Sequence, residues 1–278
     1  MIRILIDSSS DYLMEEIQEN NFELVPISIV LNGEKYIDGK NLERNQFYEI
    51  MAETKAFPQT SQPSPQAFLD IFRDAKEQQD DVICILLSSA LSGTYQSAML
   101  AKQMVDYERI FLIDSLSATF CIKMMADYAQ QLVQNGMSAE QIVGTLENFK
   151  SHVKVIAALD TLEYLARGGR ISQTVATIGN LANLKPIITL SEDGKVEMIG
   201  KCLGKNKAIS AILQKLQETD IDTDFPMYSI YSYGEENCEL FRKKLEQKGI
   251  HTETPMQIGP TIGTHIGPGA FGVVFVTR

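Results

Sequence analysis

Apolar residues along this chain fall into two rhythms, with the change near residue 152. In the first half, short apolar runs alternate with stretches whose apolar positions recur every three or four residues. The run at 3–7 meets Asp7 and the segment DSSSD, which predicts a strand, with Ser10 or Asp11 placed to cap the following helix. Residues 24–31 and 34–37 flank Asn32-Gly33, a strong hairpin signal. Residues 41–54 have helical spacing, PQTSQPSP at 58–65 predicts a stiff loop rich in hydroxyls, and Pro65 opens a helix reaching 77.

The stretch VICILLSSALSGTYQSA, at 82–98, organises this half. Its continuous apolar run predicts a strand buried on both faces, ended by Ser88, Ser89, Ser92, Gly93 and Thr94 before a helical pattern resumes at Tyr95. In open α/β sheets, ligands bind between a strand's carboxyl end and the next helix, where free N–H groups favour an anion. A strand at 109–113 ends in Asp114-Ser115-Leu116-Ser117, and helices at 119–135 and from 138 complete the half. Strands alternating with helices predict a doubly wound, mostly parallel sheet.

The second half reads differently. A strand at 153–159 precedes a short helix at 161–167 stopped by Gly168-Gly169, then a helix at 171–184. Strands at 187–190 and 196–199 flank a turn at 191–194, and a helix at 205–218, a strand at 227–233, a helix to 249 and a strand at 252–258 follow. GPTIGTHIGPG predicts a glycine-rich turn before a last strand at 272–276. A hairpin mixed with helices predicts an α+β domain with a mixed sheet. The expected division is 1–152 and 153–278.

The 278 residues, 44% hydrophobic, can build a full core, and a net charge of −11 speaks against a nucleic-acid binder. No apolar run is long enough to span a bilayer and MIRILIDSSS has no signal-peptide layout, so a cytoplasmic location is expected. Cys84, Cys121, Cys202 and Cys238 are scattered, and His152, His251 and His265 lack metal-ligand spacing, so neither metal nor cofactor is expected. Charge is uneven: residues 150–207 hold nine Lys/Arg against five Asp/Glu, concentrated at Arg167, Arg170, Lys201, Lys205 and Lys207. That span is either a solvated face or a docking surface for an acidic partner or, transiently, an anionic membrane surface.

Three hydroxyl-bearing segments are candidate chemistry: Thr60-Ser61, Ser92 to Thr94, and Thr264-His265. If the halves face each other these groups converge, and hydroxyls with one imidazole suit a carboxylate or phosphate. Helix capping is the plainer role for the first two. A serine esterase or thioesterase would use Ser92 with His265 and one of Asp7, Asp11 or Asp114, although the turn SSALSGT is not the G-x-S-x-G elbow. No G-x-x-x-x-G-K-[ST] phosphate loop occurs.

TSQPSP at 60–65, LSSALSGTYQSA at 87–98 and Asp114-Ser115 resemble the DegV family, as do LEYLARGGRIS at 162–172, KPIITLSEDGKV at 185–196 and IGTHIGPGAFGVVF at 262–275. The resemblance implies a fatty-acid-binding protein, the acyl-carrying subunit of bacterial fatty acid kinase, with no catalysis of its own. It implies two α/β domains holding a long-chain acid in an apolar tunnel. Carried over by position, Thr60, Ser61, Ser92, Gly93 and Thr94 would surround the carboxylate, with His265 opposite. Arg170 would belong to the surface meeting the ATP-binding kinase subunit, whose acyl-phosphate product feeds phospholipid synthesis. The family usually carries an arginine where this chain has Leu203, so Lys201 and Lys205 would supply the docking charge, or the chain is a lipid carrier without a kinase partner.

Overall fold

The computed structural model describes residues 1–54, 57–174 and 183–278. The first half runs β1 (Ile2–Asp7), α1 (Met14–Asn20), β2 (Glu23–Val25), β3 (Ser28–Leu31), β4 (Glu34–Ile37), α2 (Arg44–Thr54), β5 (Gln59–Ser61) and α3 (Pro65–Gln78). It continues through β6 (Asp81–Leu86), α4 (Thr94–Val105), β7 (Ile110–Asp114), α5 (Phe120–Gln134) and α6 (Ala139–Phe149). The second half comprises β8 (Val153–Ala158), α7 (Glu163–Arg167), β9 (Leu184–Leu190), β10 (Val196–Leu203), α8 (Lys205–Gln217) and β11 (Tyr228–Tyr231). It closes with α9 (Glu236–Glu246), β12 (Glu253–Gln257), α10 (Pro260–Ile266) and β13 (Phe271–Val276).

The first sheet is all parallel in the order β2-β1-β6-β7. Its strands are apolar on both faces because both are covered. Leu5, Val82, Cys84 and Leu86 pack against Phe68, Phe72, Ala98 and Ala101 of α3 and α4. On the other face, Ile4, Ile6, Ile83 and Ile85 meet α5 and α6. The mixed sheet has the order β10-β9-β8-β13-β11-β12, with β11 and β12 its parallel pair. One of its faces, including Ile156, Val273 and Phe275, buries against α8 and α9. The opposite face, through Val153, Ala157 and Val274, joins the same core as α5 and α6. The layers therefore run α3/α4, parallel sheet, α5/α6, mixed sheet, α8/α9.

The doubly wound sheet and the mixed sheet match the sequence reading, and several local expectations do not. Residues 24–31 are not one strand: the chain breaks at Pro26, β2 joins the parallel sheet, and β3 joins β4 and β5 in a separate three-stranded sheet. Proline has no N–H to give a ladder and fixes its own φ, so the switch between sheets falls there. Residues 58–65 are more than a loop, since β5 lies within them. Neither Ser10 nor Asp11 caps α1; the Glu16 carboxylate accepts the Leu13 N–H at its start. The GPTIGTHIGPG segment is not a turn but α10, with Pro260 at its first position and Gly267, at φ 72°, ending it. The helix expected at 171–184 lies largely outside the described residues, and Leu184 is the first residue of β9. Among the described residues no helix is long and apolar enough to cross a membrane.

Candidate functional site

A cavity of about 90 Å³ opens between the parallel sheet's carboxyl ends, the mixed sheet and α10. Aliphatic side chains make most of its wall, among them Leu87, Val155, Leu159, Ile188, Ile230 and Ile262. Val155, Ala157 and Leu159 alternate along β8 and just past it, which puts them on one face of the sheet.

Among the described residues four polar side chains remain available to this space: Thr60, Ser92, Arg170 and His265. Thr119 and Thr261 also line it, but their hydroxyls donate to Asp11 and Asp38. Thr60 occupies the middle of β5, and its Oγ1 lies 2.9 Å from His265 Nε2. Ser61 is exposed and does not line the cavity, as expected for the next residue of a strand. Ser92 Oγ lies 2.9 Å from Thr94 Oγ1, and Thr94 is fully buried, so the Thr94 hydroxyl orients Ser92 from behind. Gly93 carries the Gln62 side chain directly over its Cα, and any Cβ there would collide with it. Gln62 Nε2 in turn donates to Ser97 Oγ at 3.1 Å, tying β5's exit to α4. The turn expected to receive an anion is thus held by packing at Gly93 and by a hydroxyl pair at 92 and 94.

Arg170 is in the cavity wall rather than on an open surface. It is half-buried; Nε donates to Leu91 O at 2.9 Å and Nη1 donates to Gly168 O. Among the described residues it forms no ion pair. Desolvation lowers its pKa from the ordinary value, yet a guanidinium stays charged. A half-buried cation without a counter-ion favours an anionic ligand. Lys201 and Lys205 lie elsewhere, exposed on β10 and at the start of α8, with Lys205 Nζ 3.3 Å from Asn237 Oδ1. Leu203 beside them is 59% exposed.

Burial, with a smaller contribution from Arg170, pushes His265 down to about 4, so the imidazole is neutral near pH 7. Its Nδ1 is buried and, among the described residues, has no hydrogen-bond partner. A Cβ at Gly168 would run into that nitrogen, so glycine at 168 serves close approach to the ring and does more than stop α7. Gly169, at φ 73°, is the residue whose backbone needs glycine. Gly168→Ala is expected to displace the His265 ring and break its contact with Thr60, seen as a shift of the His265 side-chain resonances in ¹⁵N NMR. Gly169→Ala should leave those resonances in place and cost about 1 kcal/mol of stability. Unmoved His265 signals in Gly168→Ala would contradict this packing.

Among the described residues no hydrolytic triad is assembled. Ser92 bonds Thr94 rather than His265, and His265 Nδ1 has no carboxylate to orient it. The three aspartates are engaged elsewhere: Asp7 accepts Leu87 N–H, Asp11 accepts Gly259 N–H and Asp114 accepts Ser89 N–H. Among the described residues no three His, Cys, Asp or Glu side chains are grouped to hold a metal.

The whole chain, residues 1–278, matches the family model described as an uncharacterised protein of the DegV family. The chain belongs to the DegV family. A DegV domain-containing protein of Caldanaerobacter subterraneus subsp. tengcongensis is 38% identical over 276 residues, covering 99% of this chain and 98% of that protein. Among solved structures, a DegV family protein of Thermus thermophilus described by its fatty acid binding superposes with a TM-score of 0.88 at 32% identity, covering 100% of this chain and 99% of that one. A stearic acid-binding protein of Eubacterium ventriosum gives 0.88 at 28% identity, covering 100% and 98%. DegV structures therefore bind fatty acids. The residues that sequence reading did not single out, the aliphatic wall, are the ones an acyl chain would need. The alternation at 155, 157 and 159 was the local signal for them.

Proposed function

We propose that this chain binds one long-chain fatty acid, with the alkyl chain in the aliphatic cavity and the carboxylate at its polar end. The observation that carries the reading is the uneven wall: mostly apolar, with Thr60, Ser92, His265 and an uncompensated Arg170 lining the same cavity. Each part has a distinct task. Hydroxyls donate to the carboxylate, Arg170 supplies its counter-charge, and Gly93 and Thr94 hold Ser92 in place. Ser61 would reach the carboxylate only from the strand's other face, and is the weakest member of the set.

Burying an alkyl chain contributes about 0.8 kcal/mol per methylene, so a sixteen-carbon acid has a gross driving force of about 12 kcal/mol before the costs of association. The cavity supplies affinity and the polar end fixes direction. The chain performs no covalent step in this reading. It presents the carboxylate to an ATP-dependent kinase subunit that forms the acyl phosphate, with Lys201, Lys205 and the rim around Arg170 as docking charge. The exposed Leu203 favours a second reading, a cytoplasmic lipid carrier without that partner. The two domains would divide near residue 152, where the chain passes from α6 into the mixed sheet.

Mass spectrometry of the purified protein, first native and then denatured, tests the binding. One fatty acid per chain, lost on denaturation, is the expected result; protein that is empty and takes up no added acid overturns it. A pull-down with the kinase subunit in wild type and in Lys201→Glu/Lys205→Glu separates the two readings.

A further inference from the structure

The helix that carries His265 is held from the first half of the chain by buried carboxylates. Asp11 is 2% exposed, and its Oδ1 accepts the Gly259 N–H at 2.9 Å, immediately before α10. Its Oδ2 accepts from Thr119 Oγ1 at 2.6 Å, at the start of α5. Its carbonyl oxygen accepts from Arg44 Nη2 at 2.6 Å, while Arg44 Nη1 donates to Gln257 O at 2.6 Å. Asp38 makes a parallel contact, accepting the Thr261 N–H at 3.0 Å and the Thr261 hydroxyl. Thr119 and Thr261 line the aliphatic cavity, whereas Asp11 and Asp38 line a separate surface cleft with Met14, Lys40 and Glu43. The carboxylates thus stand between solvent on one side and the ligand space on the other.

Backbone strain gathers at the same place. Asp11 has φ 58° and Thr119 has φ 56° with ψ −142°. Aspartate tolerates the left-handed region, but a β-branched residue at positive φ persists only where its surroundings over-determine it, and such strain gathers at functional sites. Here the two strained residues are joined by one hydrogen bond.

We propose that Asp11 is a proton-coupled latch: protonated, it holds α10 and His265 in the closed cleft, and ionised, it loosens them for ligand exchange. The proposal rests on the fatty-acid reading above. On protonation the Thr119 contact reverses: the neutral carboxyl still accepts from Gly259 N–H and donates to the Thr119 hydroxyl, with no charge buried. An ionised carboxylate must hold its charge away from water beside Asp38. The charged and titratable groups facing it are Arg44 and the Tyr48 phenol from α2, and Asp38 from the segment after β4. Glu15 of α1, Lys40 and Glu43 line the outer cleft, and on α5 Lys123 is paired with Glu16. His265 is the titratable group of α10, and it is neutral throughout the range that matters.

The sign follows from burial. Desolvation raises Asp11 to about 7, against an attraction to Arg44 and with a smaller push from Asp38, which is itself raised to about 6. Opening to water returns each carboxylate toward its ordinary value, so the closed form binds more protons than the open one. Closure is therefore strongest below about pH 4, weakens as pH rises from there through about 7, and levels off above it. For Asp11 alone, the open population should rise about tenfold from pH 6 to pH 8.

The test is the dissociation rate of ¹³C-labelled oleate into excess neutral phosphatidylcholine vesicles at pH 6, 7 and 8. Wild type should release about tenfold faster at pH 8 than at pH 6, and Asp11→Asn, a permanent mimic of the protonated state, should change less than about twofold. A flat wild-type profile, or the same slope in both proteins, overturns the latch. Two measurements on ligand-free wild type keep it falsifiable if the variant fails to fold. The ¹³Cγ signal of Asp11 should titrate near 7, and the exchange protection of the Gly259 N–H, corrected for intrinsic exchange, should fall between pH 6 and pH 8. An Asp11 midpoint in the ordinary carboxylate range, or unchanged protection, overturns it. Wild type that holds no oleate at any pH sinks the carrier reading instead, and these two measurements still decide the latch.

Discussion

Ala157→Phe is expected to remove retention of a long-chain acid while leaving the protein folded. Ala157 lies on β8 directly opposite Gly272 of β13, and paired residues of an antiparallel ladder share a face. A Cβ at Gly272 would lie 2.8 Å from the Ala157 Cβ, so the two strands approach too closely here for a larger side chain at 157 to turn toward β13. Ala157 lines the ligand space, and the phenyl ring added to its Cβ would enter the cavity. Displacing about five methylenes of a bound chain costs about 4 kcal/mol, or about a thousandfold in affinity. Native mass spectrometry and oleate titration measure the loss, and near-ultraviolet circular dichroism checks the fold. A folded variant carrying as much acid as wild type would remove the cavity from the account.

Asp7→Ala should lower stability more than any change at the cavity's polar end. Asp7 is fully buried at the end of β1; its Oδ1 accepts Ser9 N–H at 2.9 Å and the Ser9 hydroxyl, and its Oδ2 accepts Leu87 N–H at 2.7 Å. Alanine strands three buried donors, each worth about 1–3 kcal/mol. Burial raises the Asp7 pKa, so removing the carboxylate also relieves a desolvation cost, and the net loss should be about 3 kcal/mol. For a chain of this size that corresponds to a fall in Tm of about 6–12 °C. Asn is no rescue, because its amide would aim a donor at either Leu87 N–H or Ser9. A Tm within about 2 °C of wild type would mean that water replaces the carboxylate at this strand end. Replacing His265 or Ser92 with Ala, by contrast, should weaken acid retention with little effect on Tm.

The parallel half was legible because its code is local. Strands covered on both faces are continuously apolar, Asn32 and Gly33 both take positive φ in the hairpin, and Ser138 caps α6 with Gln141 closing the box. The candidate site was legible in part: Thr60, Ser92 and His265 share the cavity, Gly93 and Thr94 stand behind Ser92, and Ser61 faces outward. The alternation that turned Ser61 away from Thr60 is itself a sequence rule. Applying it required knowing that 59–61 is a strand, which the prolines around it concealed.

The sequence alone carried the alternation of strands and helices in the parallel half, the Asn32-Gly33 hairpin and, through six ordered motifs, the family. Those are encoded by neighbours within a few residues of one another. Three features were decided only by tertiary structure. The glycines of GPTIGTHIGPG read as a turn, yet Gly263 is glycine because Phe47 and Tyr48 fill the place of its Cβ, and Gly267 because the Tyr164 ring does. Arg170 read as a surface charge, but its bonds to Leu91 O and Gly168 O draw it into the cavity wall. Asp11 read as a helix cap, but 248 residues along the chain it finds Gly259 N–H. A glycine's reason, a cation's counter-ion and a carboxylate's acidity are each set by groups distant in sequence, and only folding brings those groups within reach.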